Sequence, residues 1–319
     1  MDRFQILSLD GGGLKGLFSA AYLAQLERDA GRPCADMFDL ICGTSTGGII
    51  ALGLGLGFPA EDIKRFYLEE AERIFPHKSF AAGKHWLATK YPVAGLNEAL
   101  AQRFGSKLLG ESRSRLLIPA TDANRREVYI YKTSHHERLR TDYKVAVVDV
   151  ARATSAAPTY FEAFEPEPGL NLVDGGVWAN NPLMLGVAEA LGYLQASQDA
   201  IFALRVGTTE EVARLDSYPE HGHGGKVQLV GPIMEVMMAV QSKSATSMAE
   251  HILGKGRRLI SVNPFVNQGE LALDKLTAHL QGLATTEYRK TSSDLHEKGF
   301  LKHSAAPFEP CHKLETILQ

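Results

Sequence analysis

Residues 40 to 60 carry no charged side chain, in a chain where 22% of the 319 residues are charged. Such a run is about as long as a segment that crosses a bilayer. It contains six glycines, however, and the polar triplet Thr44-Ser45-Thr46. Its start is typical of a buried strand, and its end is typical of a buried helix of small residues. The run therefore predicts a strand, a tight turn and a helix in a soluble chain.

Short apolar runs alternate with longer helical patterns along the rest of the chain, which predicts an α/β fold with a mostly parallel sheet covered by helices. We expect one domain over residues 1–319, with the motifs described below confined to residues 4–190. The predicted strands are residues 5–9, 38–42, 116–121, 128–131, 170–173, 201–206 and 259–262. The predicted helices are residues 14–29, 46–56, 60–73, 96–104, 145–154, 183–194, 227–253 and 271–289.

The first of three glycine-rich turns is residues 10–16 (Asp-Gly-Gly-Gly-Leu-Lys-Gly), between a predicted strand and a predicted helix. Backbone N–H groups at such a helix N-terminus can bind negative charge. Three of its glycines also fit the dinucleotide-binding pattern of a Rossmann fold: Gly11, Gly13 and Gly16. That pattern needs an acidic residue at the end of the second strand, whereas Asp36 and Asp39 precede or open it. A dinucleotide-binding protein that uses this turn stays open as the alternative.

The second turn, residues 43–47 (Gly-Thr-Ser-Thr-Gly), matches the Gly-x-Ser-x-Gly pattern of a nucleophile elbow. In such an elbow the serine has a strained backbone conformation, and glycine at the flanking positions avoids a clash. The serine hydroxyl is then exposed above the carboxyl edge of the sheet. The strand before this turn and the small-residue helix after it favour this interpretation of Ser45 over a turn that only permits close helix packing.

The third turn, Asp174-Gly175-Gly176, follows the apolar run of residues 170–173. An aspartate at the end of a strand can accept a proton from a serine hydroxyl if the distance and its pKa are suitable. Taken alone, Asp-Gly is a very common turn sequence. The functional interpretation of Asp174 therefore depends on the other two turns.

In this order, the three turns resemble those of the patatin-like phospholipase family, as does the stretch of residues 151–161 just before the aspartate. The resemblance covers residues 4 to 190. It implies a three-layer α/β fold and hydrolysis of membrane phospholipid esters by a Ser–Asp dyad, with no metal and no organic cofactor. The resemblance also implies that Ser45 is the nucleophile and that Asp174 is the general base. The first turn supplies the oxyanion hole through Gly11, Gly12 and Gly13. The glycines that support the motifs are Gly16, Gly43, Gly47, Gly175 and Gly176.

Some compact bacterial members of this family are effectors of anti-phage defence that a cyclic dinucleotide activates. This chain is similar to them in length and in its opening run, residues 4–9. The resemblance therefore implies a cyclic dinucleotide activator, although the sequence does not indicate its binding residues. We expect a cytoplasmic protein acting at the inner face of the membrane, because the N-terminus shows no secretory segment. Homo-oligomerisation stays open, as does a storage or scaffold role with incidental esterase activity.

Histidine is the alternative general base, because the chain order in α/β-hydrolases is serine, acid, histidine. Four histidines follow Asp174, and none of them lies in a recognisable motif: His221, His223, His251 and His279. The complete set of three turns favours the Ser–Asp dyad over a triad.

The distribution of charge bears on the partners. A formal net charge of −3 argues against a nucleic-acid polymer as partner, and three scattered cysteines argue against a zinc site.

Between Arg73 and Asn97 there is no acidic residue, and lysines alternate with aromatic residues. That pattern suits the headgroup zone of an anionic bilayer and, equally, a loop whose aromatic residues fold back onto the core. Four methionines on one predicted helix favour core packing: Met234, Met237, Met238 and Met248.

Overall fold

The structure, a computed structural model, describes residues 2–76, 89–211, 230–267, 274, 277 and 279–314. The strands in these residues are β1 (Phe4–Leu9), β2 (Leu40–Gly43), β3 (Arg115–Asp122), β4 (Glu127–Lys132), β5 (Phe164–Glu167), β6 (Leu170–Asp174), β7 (Ile201–Val206), β8 (Glu210–Glu211), β9 (Leu259–Val262) and β10 (Phe265–Val266). The helices are α1 (Gly16–Ala30), α2 (Thr46–Gly55), α3 (Ala60–Ile74), α4 (Ala94–Phe104), α5 (Val147–Thr154), α6 (Gly176–Ala179), α7 (Leu183–Gly192), α8 (Val230–Leu253) and α9 (His279–Glu297).

The main sheet is mostly parallel, as the sequence predicts. Its strand order is β5-β6-β3-β2-β1-β7-β9, and each neighbouring pair from β3 to β9 is parallel. Strands β4 and β6 run antiparallel to β3, and β5 runs antiparallel to β6. The short strands β8 and β10 form a separate parallel pair.

One edge of β3 brings the ends of two strands together. Because β4 pairs with residues 117–122 on one edge of β3, β2 and β6 share the opposite edge. Strand β2 pairs there up to Leu117, whereas β6 arrives from the other direction and ends with Asp174 beside Ala120. At a rise of about 3.3 Å per residue, these two positions on β3 lie roughly 10 Å apart. The carboxyl ends of β2 and β6 therefore face each other.

Helices cover both faces of the sheet, so the fold has three layers. In β1, Leu7 and Leu9 belong to a core cluster that includes residues of α1 to α5 and α9. Phe4 and Ile6 belong to a second cluster, which includes residues of α7 and the C-terminal part of α8. Successive side chains of a strand point to opposite faces, so a strand buried on both sides is apolar almost throughout. No helix within the described ranges is both long enough and apolar enough to cross a bilayer.

The observed elements differ from the predicted ones mainly at their ends and in the shortest pieces. The last helix is displaced towards the C-terminus and ends at Glu297. Strand β2 begins only at Leu40, and the Asp39 carboxylate accepts the Gln5 amide (2.8 Å) instead. Elements β5, β8, β10 and α6 are new; with two to four residues each, they are too short to show a hydrophobic period.

Candidate active site

Ser45 lies at a sharp turn between β2 and α2. Its φ is 54° and its ψ is −123°, a combination that is costly for any residue other than glycine. The Ser45 amide donates to Thr154 Oγ1 (2.9 Å), and this hydroxyl in turn donates to the Pro119 carbonyl (2.6 Å). On the other side of the turn, Thr44 Oγ1 donates to the Ala179 carbonyl (2.6 Å). Hydrogen bonds from two directions thus hold the backbone in the elbow conformation.

The elbow leaves no space for a side chain at either flanking glycine. A Cβ atom added at Gly43 would lie 2.1 Å from the Gly47 carbonyl oxygen, and one added at Gly47 would lie 2.3 Å from the Leu9 carbonyl oxygen. Both contacts are with backbone atoms of packed elements, which cannot move aside as the end of a side chain can. The two glycines are therefore required for α2 to approach β1 and β2 closely.

We expect Gly43→Ala to lower the free energy of unfolding by at least about 4 kcal/mol, or to prevent folding, because the overlap is relieved only by displacing α2. Thermal unfolding followed by circular dichroism measures the effect. The control is Gly282→Ala on α9, where an added Cβ meets nothing within 4 Å. That variant should gain about 0.5–1 kcal/mol from helix propensity. Equal melting temperatures for the two variants would contradict this account of the elbow.

The Asp174 side chain is buried at the end of β6 and lines the same cleft as Ser45. Its Oδ1 accepts the Gly176 amide (2.6 Å), and the Thr121 hydroxyl donates to its backbone carbonyl (3.0 Å). Burial raises the pKa of the Asp174 carboxyl from its ordinary value to about 6, against the opposing effect of the hydrogen bonds from Ser45 and Gly176. A carboxyl group with this pKa and position can exchange a proton with a serine hydroxyl near neutral pH.

The glycine turn after β1 contributes two free amides to the site, not three. The Gly11 amide donates to the Asn180 carbonyl (3.0 Å), so it is not available to a bound oxyanion. The amides of Gly12 and Gly13 donate to no acceptor within the described part of the chain, and both residues line the cleft that contains Ser45. The Thr208 hydroxyl donates to the Gly11 carbonyl (2.8 Å) and fixes the turn from the far side. This geometry changes the expectation for Gly11 from oxyanion donor to structural residue.

The remaining glycines of the motifs permit close packing around the site. A Cβ at Gly16 would overlap the Thr46 side chain, and one at Gly175 would lie 2.3 Å from the Pro119 carbonyl oxygen. Gly176 lines the cleft, and its amide holds the Asp174 carboxylate as described above.

A buried ion pair, which no sequence motif predicts, anchors the start of the glycine turn. The Arg205 guanidinium at the end of β7 donates to both carboxylate oxygens of Asp10, with Nε at 3.2 and 3.1 Å. It also donates to the hydroxyls of Ser242 on α8 (2.6 Å) and Ser261 on β9 (3.1 Å). Burial raises the pKa of the Asp10 carboxyl, and the charge of Arg205 opposes that shift. The one signal in the sequence was an arginine inside an otherwise apolar strand.

Ser45 and Asp174 open into an apolar cleft of about 120 Å³. Its walls come from α2, α3, α4, the segment after α5, and α8. They include Ile49, Phe66, Phe161, Met234 and Met238. Such a lining suits a hydrocarbon chain better than a polar ligand. No group of three His, Cys, Asp or Glu side chains in the described ranges is placed to hold a metal ion.

Two of the candidate histidine bases lie in the described residues. His251 is exposed near the C-terminus of α8, where Nδ1 contacts the Ser247 carbonyl (2.6 Å), and His279 is exposed at the start of α9. Neither of them lines the cleft. His221 and His223 lie outside the described residues.

The structure describes part of the basic, aromatic stretch between Arg73 and Asn97 and all four methionines that were predicted to pack in the core. Tyr91 is buried and contacts Phe75 and Phe161, as a residue folded back onto the core does. Residues 77–88 of that stretch, which include Lys78, Phe80, Lys84 and Trp86, lie outside the described residues. The core prediction for the methionines is wrong: Met237 and Met248 are exposed, and Met234 and Met238 line the cleft.

Residues 7–187 match the family described as patatin-like phospholipase. A "cGAMP-activated phospholipase" of Pseudomonas aeruginosa is 36% identical over 280 residues, which cover 86% of this chain and 83% of that protein. A "cUMP-AMP-activated phospholipase" of Escherichia coli is 27% identical, with 91% of this chain and 90% of that protein covered. Among solved structures, VipD from Legionella pneumophila has a similar fold, with a TM-score of 0.52 and 13% identity over 93% of this chain and 67% of that one.

Proposed function

The chain belongs to the patatin-like phospholipase family and is a lipid acyl hydrolase, and on that basis we propose that it cleaves phospholipid esters of membranes with Ser45 and Asp174. The observation that carries this proposal is that Ser45, on a strained elbow, and the buried Asp174 carboxyl line the same cleft. The two residues lie 129 positions apart in the chain and meet only because β2 and β6 end against the same edge of β3.

In the proposed reaction, Ser45 Oγ attacks the ester carbonyl carbon while its proton passes to the Asp174 carboxylate. The amides of Gly12 and Gly13 donate to the oxyanion of the tetrahedral intermediate. When the bond to the leaving alcohol breaks, the Asp174 carboxylic acid returns the proton to the leaving oxygen. A water molecule, activated by the same carboxylate, then attacks the acyl-serine and releases the fatty acid. The apolar cleft would hold the acyl chain during both steps.

A second part of the proposal is activation by a cyclic dinucleotide. It is supported by the names of the relatives from Pseudomonas aeruginosa and Escherichia coli, which are similar to this chain over most of their length. The described residues do not indicate where the nucleotide binds.

The test is fatty acid release from vesicles of phosphatidylethanolamine and phosphatidylglycerol, with cGAMP, with cUMP-AMP and without nucleotide. We expect release that increases with at least one nucleotide and is lost in Ser45→Ala, because the serine is the nucleophile in either state. Serine-dependent release of equal size in every condition would refute activation but leave hydrolysis intact. If wild type and Ser45→Ala released equal amounts, the dyad itself would be wrong.

The Rossmann-type alternative loses its structural basis. The Gly11 amide is already bound to the Asn180 carbonyl. The acidic residue nearest the required position, Asp39, lies before β2, where its Oδ2 contacts the Gln5 amide (2.8 Å) and His303 Nε2 (2.7 Å). A ribose hydroxyl would need that carboxylate at the opposite end of the strand.

A further inference from the structure

The N-terminal half of α8 exposes a row of apolar side chains. Val240 is 61% exposed, and Ile233, Val236 and Met237 are each exposed by more than 40%. These four positions follow the spacing i, i+3, i+4, i+7, so they lie on one face of the helix; we call it the outer face of α8. Further along the helix, Ala245, Ala249 and Leu253 are buried on another face. An α-helix of a globular protein normally leaves the face opposite its buried side polar.

The outer face lies beside the part of α8 that lines the cleft. Met234 and Met238, each one position after a residue of the outer face, line the cleft. The middle of α8 is fixed near the start of α7, because the Asn181 amide donates to Gln241 Oε1 (3.0 Å). Beyond the end of α7, Gln198 Nε2 donates to the Ile252 carbonyl (2.9 Å) near the C-terminus of α8. The two helices therefore run in the same direction, and the turns of α8 before Gln241 extend past α7 on the side of the cleft.

An amphipathic pair adjoins the outer face. Lys243, one turn after Val240, has an exposed side chain that forms an ion pair with Glu210. Its Nζ lies 5.9 Å from the ring centroid of Phe265, which is 63% exposed. Lysine and aromatic side chains beside apolar residues are typical of the level at which lipid headgroups meet acyl chains. A helix with this arrangement can lie in the plane of a membrane surface with its apolar face in the acyl boundary.

We propose that the outer face of α8 is the surface by which this enzyme docks on the phospholipid bilayer. The inference rests on the proposed function, since it identifies the occupant of the face by its continuity with a cleft for acyl chains. With Ile233, Val236, Met237 and Val240 in the bilayer, Met234 and Met238 form a continuous apolar path from the membrane to Ser45. A phospholipid acyl chain then enters the cleft without crossing water.

The experiment compares Met237→Gln/Val240→Gln with the control Leu191→Gln, both made in the Ser45→Ala background so that lipid is not consumed. Glutamine removes the apolar contact without adding charge and is a good helix former. Leu191 is an exposed apolar residue at the end of α7 that does not line the cleft. Binding is measured by cosedimentation with vesicles of phosphatidylethanolamine and phosphatidylglycerol. We expect the double variant to bind at least about tenfold more weakly, and the control to bind as the parent does.

To separate docking from chemistry, ester hydrolysis is measured for the same substitutions made in the active enzyme, which keeps Ser45. With a water-soluble short-chain ester as substrate, the double variant should keep the wild-type rate, whereas its rate on vesicles should fall at least about tenfold. Unchanged vesicle binding by the double variant would overturn the proposal. If binding were unchanged and the double variant also broke up an oligomer that the wild type forms, the outer face would instead join copies of the chain. Failure of the proposed function looks different, since no ester would then be cleaved in a Ser45-dependent way.

Discussion

Ser45→Ala is expected to reduce the turnover of any ester substrate by on the order of a million-fold, because no other group in the cleft takes over the role of the nucleophile. The reason is geometric as well as chemical. A backbone with φ of 54° holds the serine side chain in the cleft that Asp174 also lines. Fatty acid release under saturating substrate, together with far-UV circular dichroism, measures the loss and shows that the variant is folded.

A second serine in the cleft provides a matched comparison. Ser155 also lines the cleft and its hydroxyl has no hydrogen-bond partner within the described part of the chain. Without a contact to Asp174 it lacks a base, so Ser155→Ala should lose far less activity than Ser45→Ala. A fluorophosphonate probe should label the wild type and Ser155→Ala but not Ser45→Ala. Labelling of Ser45→Ala with retained turnover would identify a different nucleophile.

Asp174→Asn is expected to lower turnover by about 10²- to 10⁴-fold, the range that a positioned general base contributes. In the wild type, kcat/KM on a water-soluble ester should rise with pH and reach half its maximum near pH 6, because the carboxyl must be ionised to accept the proton and its pKa is about 6. The residual activity of Asp174→Asn should lack this step. A wild-type profile that is flat between pH 5 and 8 would exclude Asp174 as the base.

The same substitution should stabilise the protein above pH 6. Burial raises the pKa of Asp174 in the folded state to about 6. Folding therefore binds a proton between the ordinary pKa and pH 6, and stability falls as the pH rises through that range. Two units of pKa correspond to about 3 kcal/mol, so Asp174→Asn should gain up to that amount at pH 7 and little at pH 4. A less active but more stable variant separates catalytic loss from unfolding.

Histidine variants complete the test of the dyad. His251→Ala and His279→Ala should retain wild-type turnover, since neither residue lines the cleft. The double variant His221→Ala/His223→Ala tests the two histidines that the described residues leave out. A loss there as large as that of Asp174→Asn would replace the dyad by a triad.

The cleft and the glycine turn share one more connection, through the buried Arg205. Its guanidinium contacts Asp10, where the turn begins, and Ser242 on α8, the helix that lines the cleft. A buried charge that loses its partner is strongly destabilising, so this arginine links the position of α8 to that of the Gly12 and Gly13 amides. Helix α8 and the proposed oxyanion hole are thus parts of one packed unit.

By itself, the sequence determined the order of strands and helices and the three glycine-rich turns. These features depend on local patterns: a period of two or 3.6 residues, and glycines where a strand turns sharply into a helix. The elbow at Ser45 could be predicted because its strained residue and the close approach of Gly43 to the Gly47 carbonyl lie within the turn itself. Short elements such as β5 and α6 could not, because their few residues show no period.

Only the tertiary structure decided which groups meet. The Gly11 amide is occupied by the Asn180 carbonyl, and the pKa of Asp174 depends on its burial beside Ser45. Arg205 meets Asp10 because β7 lies parallel to β1, so that the carboxyl ends of the two strands are neighbours. The sequence predicts that Met237 packs in the core, but the row from Ile233 to Val240 to which it belongs is exposed beside the cleft. Each of these outcomes is set by contacts and solvent exclusion between segments that are distant in the chain. A hydrophobic pattern shows that a face avoids water, but the partner that covers it is defined only when the chain has folded.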